Sequence, residues 1–382
     1  MKYVVSSSLF YSRLQMLGRV IPSKAVLPVF GSFSFDIQGK TMQVTASDGE
    51  TTIKTRIELL EANQDFKFML EAGRMIDILK QISEQPLTIE IDPSNYQIEV
   101  RYQNGHLSFQ GESNDDYPVA HREEGEAQVV TIAGGRSFSK GIASALFAAA
   151  DKDSGRRVME GVYMDIMPGN IALVASDGHK LVRYGIKTDS QDVTVGFTFP
   201  QKPASLLKTI AEGAGGDVKL NIYGRKAAVI ELGDYEIECR LIDDPYPNYK
   251  SVIPQKNENV AVINRGALTN GLRRMMALLS RVESSGLVRC HLENNSIKLT
   301  VGEAEFSVYG EETLVCHYDG TPITIGFNAG DLLGLLGQVD TEDVVIKLAD
   351  AVKAGLILPA NTDGDEPEGD LLILLMPILI NN

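Results

Sequence analysis

Two pairs of adjacent acids are the residues best suited to metal-dependent chemistry. Asp115-Asp116 and Asp243-Asp244 both lie next to a Tyr and a Pro, and the two phrases are about 130 residues apart. Paired carboxylates can hold Mg²⁺ for phosphoryl chemistry. Asp and Pro also favour turns, and the recurrence beside Tyr-Pro supports that interpretation. We therefore interpret both pairs as turn residues, and keep a nuclease or a ligase as the alternative.

A single histidine and three cysteines are the other candidates for chemistry. His179 follows the dipeptide Asp177-Gly178, a turn signal, and a histidine there is typical of local hydrogen bonding. The cysteines are odd in number and lack CxxC spacing, which predicts reduced, mostly buried thiols without a disulfide or metal role: Cys239, Cys290 and Cys316. No Walker phosphate loop, GxGxxG after a strand, HExxH or GxSxG occurs. The sequence predicts a non-catalytic protein without a cofactor.

The elements that would position these residues recur three times along the chain. A strand-turn-helix phrase covers 66–80, returns at 197–208 and appears again at 325–336. A longer helix with apolar residues at helical spacing precedes each copy, at 8–20, 138–150 and 266–281. Strands such as 32–37, 161–166 and 287–292 lie between the two helices of each repeat. The pattern predicts an α+β fold with two helices and roughly eight strands per repeat, the helices on one sheet face.

Composition is that of a soluble globular protein. The chain has 382 residues, 43% hydrophobic and 23% charged. No run of about 20 apolar residues is present, which predicts no membrane span. The first residues lack the apolar core of a signal peptide, so the expected location is the cytoplasm. The length suits three domains, which we predict at 1–122, 127–251 and 257–382.

The basic residues are concentrated in the predicted helices, which changes the conclusion about nucleic-acid binding drawn from the net charge alone. The net charge of −15 argues against a nucleic-acid partner. The segments 6–19, 135–150 and 264–281, which hold the first helix of each repeat, however, contain basic residues but no acid: Arg13, Arg19, Arg136, Lys140, Arg265, Arg273, Arg274 and Arg281. Helix propensity alone is one explanation. The other is a positive surface facing a polyanion, with loose contact to phosphates and an acidic exterior that repels DNA elsewhere.

Several phrases resemble the bacterial sliding clamp family, the beta subunits of the replicative DNA polymerase III. The resemblance rests on 157–163 with 173–181, on 240–249, on Gly326-Phe327-Asn328, on Met376-Pro377-Ile378 and on Leu27-Pro28-Val29-Phe30. It covers all three repeats. It implies three tandem DNA-clamp domains and a head-to-tail homodimeric ring around double-stranded DNA, without sequence specificity. It also implies partners that bind through short linear peptides: the replicative polymerase, the clamp loader and repair polymerases.

The resemblance also assigns residues by position. The partner-peptide pocket between the second and third domains would comprise Met159, Ser176, Gly178, His179, Lys180, Leu181, Pro247, Val252, Asn328, Leu374, Leu375, Met376, Pro377 and Ile378. Six cations are the candidates for DNA contact, with ordinary solvated helix residues as the alternative: Lys24, Arg74, Arg136, Lys202, Arg273 and Arg274. Four residues are the candidates for the dimer seam, with plain core residues as the alternative: Leu107, Phe109, Leu278 and Leu279.

Three positions depart from the family pattern around this pocket. Ser251 stands where an Arg is frequent, and Asp331 stands where an aromatic residue is common. The tail after Met376-Pro377 ends in Ile-Leu-Ile-Asn-Asn. The resemblance thus predicts a pocket whose peptide preference differs from the family pattern. A repeat-based scaffold that binds proteins but not DNA stays the second alternative.

Overall fold

The six predicted helices are present, within a few residues of their expected ends. The computed structural model describes residues 1–25, 27–118, 125–188, 193–214, 216–279, 286–303, 308–360 and 369–380. Arg281 of the expected third long helix and the last two residues of the tail, 381–382, lie outside these ranges. The helices are α1 (Ser7–Gly18), α2 (Ala72–Leu79), α3 (Gly135–Ala148), α4 (Gln201–Ala214), α5 (Arg265–Leu279) and α6 (Ala329–Leu336).

The strands follow the repeat. The first repeat contains β1 (Lys2–Ser6), β2 (Ser32–Gln38), β3 (Thr41–Ser47), β4 (Thr51–Glu58), β5 (Glu61–Ala62), β6 (Phe66–Glu71), β7 (Pro86–Ile91), β8 (Gln97–Tyr102) and β9 (Gly105–Gln110). The second contains β10 (Gln128–Ile132), β11 (Gly161–Met167), β12 (Asn170–Ser176), β13 (Lys180–Lys187), β14 (Val195–Pro200), β15 (Val218–Tyr223), β16 (Ala227–Leu232) and β17 (Tyr235–Arg240). The third contains β18 (Asn259–Asn264), β19 (Leu287–Glu293), β20 (Ser296–Glu303), β21 (Val308–Val315), β22 (His317–Asp319), β23 (Ile323–Asn328), β24 (Asp343–Leu348), β25 (Gly355–Pro359) and β26 (Asp370–Leu375).

These strands form four antiparallel sheets, and two of the sheets combine strands of consecutive repeats. One has the order β10-β15-β16-β17-β4-β3-β2-β6, and another has the order β14-β11-β12-β13-β26-β25-β24-β18-β22. The two smaller sheets have the orders β5-β1-β7-β8-β9 and β21-β20-β19-β23. The fourth strand of a repeat therefore pairs with the last strand of the next repeat, β4 with β17 and β13 with β26. Each of the three tandem repeats thus has two helices packed on antiparallel sheets.

Residues 1–136 and 206–241 form one compact unit, and residues 137–205 and 242–382 form a second. Because a continuous sheet joins consecutive repeats, this division does not follow the predicted boundaries, which remain a prediction. Within the first unit, the rings of Phe35 and Phe68 stack with centroids 4.6 Å apart in a fully buried core. Among the described residues, no helix is long and apolar enough to cross a membrane.

Side-chain caps start three helices directly after a strand. Ser6 accepts a hydrogen bond from the backbone of Leu9 at the start of α1, and Glu71 accepts from Gly73 and Arg74 at the start of α2. Asn328 caps α6 through the backbone N–H of Asp331, at 3.0 Å. Such caps satisfy amide groups that have no partner within the helix. Because each of these helices follows its strand directly, the amino-terminal end of the helix lies beside the carboxyl-terminal end of the strand.

Candidate functional site

The Ser-Asp-Gly phrases of the first two repeats form the same turn, as the sequence predicted. In the second repeat Asp177 Oδ1 accepts hydrogen bonds from the backbones of His179 and Lys180, both at 2.8 Å. Ser176 Oγ donates to the carbonyl of Lys180 at 2.8 Å. Gly178 has φ +94°, which only glycine adopts readily. The backbone of the turn is thus fixed before any ligand arrives.

In the first repeat Asp48 Oδ1 accepts from the backbones of Glu50 and Thr51, and Gly49 has φ +92°. The two turns differ in what lies against the glycine. A Cβ on Gly49 would lie 3.3 Å from the ring of Phe30, a buried residue. Apolar packing therefore closes the space beside the turn of the first repeat.

At Gly178 the neighbour is a charged group. A Cβ there would lie 2.7 Å from Nη1 of Arg156, an exposed residue. Met159, at the position equivalent to Phe30, lies in a short 3₁₀ turn (Arg157–Met159) and is half-buried. The second repeat therefore keeps an accessible surface where the first repeat is closed. Sequence reasoning missed Arg156, although it directly precedes the phrase that carries the family resemblance.

Lys180 connects two segments of the second unit that are far apart in sequence. Its Nζ lies 2.6 Å from Oδ2 of Asp177 and 2.9 Å from Oδ1 of Asp331, in the first turn of α6. The same Nζ lies 5.8 Å from the centre of the Phe147 ring, within the range of a cation–π contact. Desolvation alone would lower the pKa of Lys180, but the two carboxylates outweigh it and raise this pKa above its usual value. Lys180 therefore stays charged.

The pKa of Asp177 shifts in the opposite direction. Desolvation would raise it, but the hydrogen bonds from Lys180 and from the turn backbone hold it below its usual value.

A cleft of about 540 Å³ lies beside this group and is lined by Phe147, Ala149, Ala150, Asp151, Lys152, Asp153, Ser154, Asp177, His179 and Lys180. Sequence reasoning also missed Phe147, which looked like one more apolar position of α3.

The floor beside this turn is apolar. Leu181 and Leu374 belong to a buried cluster with Val174, Tyr249 and Leu356. Leu181 is 2% exposed, Leu374 is 4% exposed and Leu375 is 1% exposed. Leu181 and Leu374 lie opposite each other on this face of the sheet and form the floor, whereas Leu375, the next residue of β26, points to the other face. All three expose very little surface to a ligand.

The chain beyond β26 runs across the site. The backbone N–H of Met376 donates to the carbonyl of His179 at 2.8 Å, and that of Ile378 donates to the carbonyl of Gly326 at 2.8 Å. Met376 is 40% exposed and Val252 is 56% exposed. The turn, the tail and α6 thus bring together Ser176, Gly178, His179, Lys180, Asn328, Met376, Pro377 and Ile378. Pro247 and Val252 are exposed, and their neighbours Tyr246 and Tyr249 pack with the cluster of Leu181 and Leu374 below the turn.

The predicted DNA-facing cations differ in their surroundings. Lys24, Arg74, Arg136 and Arg273 are exposed, and Lys202 is half-buried. Arg74 has only a loose pair with Glu71, at 3.9 Å. Arg274 is bound by Glu312 of β21, with 2.9 Å between Nε and Oε2 and a second bond from Nη2. The carboxylate cancels much of the charge that the helix of Arg274 would otherwise present. Arg13 of α1 is similarly bound by Asp234.

The predicted seam residues lie on or beside two strands that end their sheets. Leu107 on β9 is half-buried and Phe109 is 7% exposed. On α5, Leu278 is 41% exposed and lies against β21, because a Cβ on Gly310 would be 2.7 Å from its Cδ2. Leu279 is 7% exposed and packs inside its own domain. Leu107 and Leu278 therefore have more surface to offer a partner than the other two.

The residues considered for chemistry in the sequence lie in the core or in a turn. The three cysteines are free and buried, as predicted. Burial raises the pKa of Cys290 to about 12 and raises that of Cys239 further. In a turn, the Asp115 carboxylate accepts a hydrogen bond from Ser113 Oγ, and the Asp115 backbone N–H donates to the same oxygen. These contacts agree with turn and core roles.

Three family models match successive parts of the chain. They describe the DNA polymerase III beta subunit: its N-terminal domain at residues 1–121, its central domain at 134–248 and its C-terminal domain at 250–367.

Curated relatives are similar over nearly the whole chain. The beta sliding clamp of Pseudomonas aeruginosa is 25% identical over 368 residues, covering 95% of this chain and 97% of the relative. That of Escherichia coli is 22% identical, covering 93% and 94%. Among solved structures, the P. aeruginosa sliding clamp bound to griselimycin has a TM-score of 0.91 at 22% identity, with 100% of both chains covered. The DNA polymerase III beta subunit of Thermotoga maritima has a TM-score of 0.89 at 19% identity, with the same coverage.

Proposed function

The chain belongs to the DNA polymerase III beta subunit family, and from that premise we propose that it is a non-catalytic processivity factor that encircles duplex DNA as a homodimeric ring. It would slide without sequence specificity and tether the replicative polymerase, the clamp loader and repair polymerases. Tethering raises the effective concentration of an enzyme at its template without any new contact to the DNA. The predicted domain boundaries and the cytoplasmic location are part of this proposal.

The recurrence of one strand pairing carries the proposal of a ring. The fourth strand of each of the first two repeats pairs with the last strand of the repeat that follows it. Among the described strands, β9 and β21 end their sheets, and they are the last strand of the first repeat and the fourth strand of the third repeat. Unpaired edges are open to pairing with another chain. We infer that β9 of one copy pairs with β21 of a second copy, which closes a ring of two.

The burial of equivalent residues supports this pairing. The β8–β9 and β16–β17 hairpins have the same register, with Tyr102 opposite Gly105 and Leu232 opposite Tyr235. Leu107 is therefore the counterpart of Ile237 and, through the second shared sheet, of Ile373. Those two residues are 1% and 0% exposed. Leu107 is only half-buried because its edge lacks a neighbouring strand within the chain.

The same counterparts predict the register of the seam. Ile237 lies opposite Ile53 in the first shared sheet, and the equivalent of Ile53 on β21 is Gly310. Leu107 would then face Gly310 and pack on Leu278, which lies against that glycine. Apolar side chains would meet apolar side chains on the helix-facing side. Burial of such surface is the main driving force of stable dimers.

Light scattering tests the dimer. We expect a mass about twice 41.7 kDa for the unmodified chain. The variant Leu107→Asp should shift the mass towards a single chain, since it buries an unpaired charge in the seam. Val129→Asp is the matched control, because Val129 is an exposed apolar residue on the edge strand β10. A monomer for the unmodified chain, or equal effects of both variants, would contradict the proposed ring.

The second part of the proposal is the peptide groove beside the turn of Ser176–Lys180. An apolar floor, an exposed flexible Met376 and a few fixed polar groups suit a short peptide with hydrophobic anchors. Removing residues 376–382 should abolish the binding of polymerase-tail peptides while the mass by light scattering stays that of the dimer. Removing residues 381–382 alone is the control. Unchanged affinity after the longer deletion would argue against this groove.

A further inference from the structure

The group around Lys180 leaves few hydrogen-bond donors at one end of the proposed groove. An ammonium has three N–H groups. Two of them are directed at Asp177 and Asp331, at 2.6 and 2.9 Å, and the ring of Phe147 lies near the same nitrogen. The side chain of Lys180 is only 13% exposed. One N–H of Lys180 at most is therefore left for an incoming carboxylate that does not displace a carboxylate of the chain itself.

Hydrogen-bond acceptors, unlike donors, remain available at this end of the proposed groove. Each carboxylate has about four lone-pair sites, and the one described contact of the Asp331 side chain is that to Lys180. The side chain of Asp331 is 29% exposed, and that of Asp177 is 19% exposed. Asp151 and Asp153 line the adjoining cleft with Lys152, and Arg156 adds one cation at Gly178. Carboxylates thus outnumber cations around this end.

We propose that Asp331 is a specificity-determining residue that makes this end of the groove select a partner peptide carrying a basic side chain. The inference rests on the proposed peptide groove. Asp331 stands where the sequence resemblance expects an aromatic residue, so this end differs from the family pattern in both charge and shape. A guanidinium can donate to a carboxylate in a bidentate manner, which makes Arg the best fit.

Fluorescence anisotropy with labelled synthetic peptides tests this inference on the full chain. Two peptide sets place Arg, Gln or Glu on the amino or the carboxyl side of one Leu-Leu anchor. In at least one set we expect the Arg peptide to bind about tenfold more tightly than the Glu peptide at low salt. Asp331→Asn should reduce that ratio to about threefold or less, since it leaves Lys180 with one carboxylate.

A matched variant separates this local effect from the net negative charge of the chain. Asp319→Asn removes the same charge at β22, which lies five strands from β13 in the same sheet. It should leave the ratio unchanged. Thermal unfolding of both variants establishes that they fold.

Equal affinities for the Arg and Glu peptides, tighter binding of the Glu peptide, or equal effects of the two variants would overturn the role of Asp331 and leave the groove intact. Failure of every peptide to bind would overturn the groove and this inference together.

Discussion

Single residues decide how much charge the helices present to DNA. Arg273 and Arg274 are adjacent on α5, and sequence reasoning treated them alike. Arg274 donates twice to Glu312, whereas no described ion pair involves Arg273. A cation already bound to a carboxylate gains less from a phosphate, because it must share or give up its partner. The two residues should therefore contribute unequally to DNA binding.

Arg273→Ala should weaken DNA binding more than Arg274→Ala. Loss of one phosphate contact makes the fall of log affinity with log salt less steep, by about one unit of slope for Arg273→Ala and by less for Arg274→Ala. Titrations of duplex DNA over a range of salt concentrations measure both slopes. A steeper loss for Arg274 would mean that Glu312 releases its partner when DNA binds.

Residue types alone predicted the turns but not what surrounds them. Ser-Asp-Gly in two repeats is a strong local signal, and both turns form with the same hydrogen bonds. The pairing of Lys180 with Asp331 spans 151 positions, and that of Arg274 with Glu312 spans 38. No local pattern encodes such contacts. The helix cations identified from the sequence therefore overestimate the positive charge of a helix wherever an acid of a neighbouring strand binds one of them.

At the scale of elements, periodicity predicted the helices and the repeat predicted their order. The strand-turn-helix phrase of the first repeat covers 66–80 in the sequence, and its helix ends at Leu79. Strand pairing across repeats could not be predicted, because β4 and β17 are edge strands of their own repeats and show no distinctive sequence signal. The shared sheets become evident only in the structure. They then provide the register for the one pairing that the chain alone cannot make.

The register can be tested by a disulfide between copies. By analogy with Glu238 opposite Thr52, Ser108 of one copy should lie opposite Tyr309 of the other. The double variant Ser108→Cys and Tyr309→Cys should give a cross-linked dimer on a non-reducing gel, since directly opposed residues are about 4.5–5.5 Å apart. His106→Cys with Tyr309→Cys is the control, displaced by two residues on the same face.

The buried native cysteines should not interfere with this measurement. Cross-linking of the control pair, and not of the Ser108 pair, would mean that the seam has a register shifted by two residues.

At the scale of the whole molecule, the proposed closed ring would explain how a chain of net charge −15 can act on DNA. A topological link does not require tight binding. Weak phosphate contacts would permit sliding, whereas strong ones would hold the ring in place. The excess of acidic residues outside the helices would oppose binding of DNA anywhere except inside the proposed ring. Divergence among the repeats leaves an accessible turn in the second repeat, while Phe30 closes the equivalent space in the first.

Retention on circular DNA tests the ring most directly. The protein is loaded onto nicked circular duplex DNA by a clamp loader with ATP, and half of the sample is then linearised with a restriction enzyme. Gel filtration in moderate salt separates bound from free protein. Our account predicts that the protein stays with the circles and is lost from the linear DNA. Retention that is indifferent to linearisation, but lost when salt is raised, would contradict it and indicate ordinary electrostatic binding.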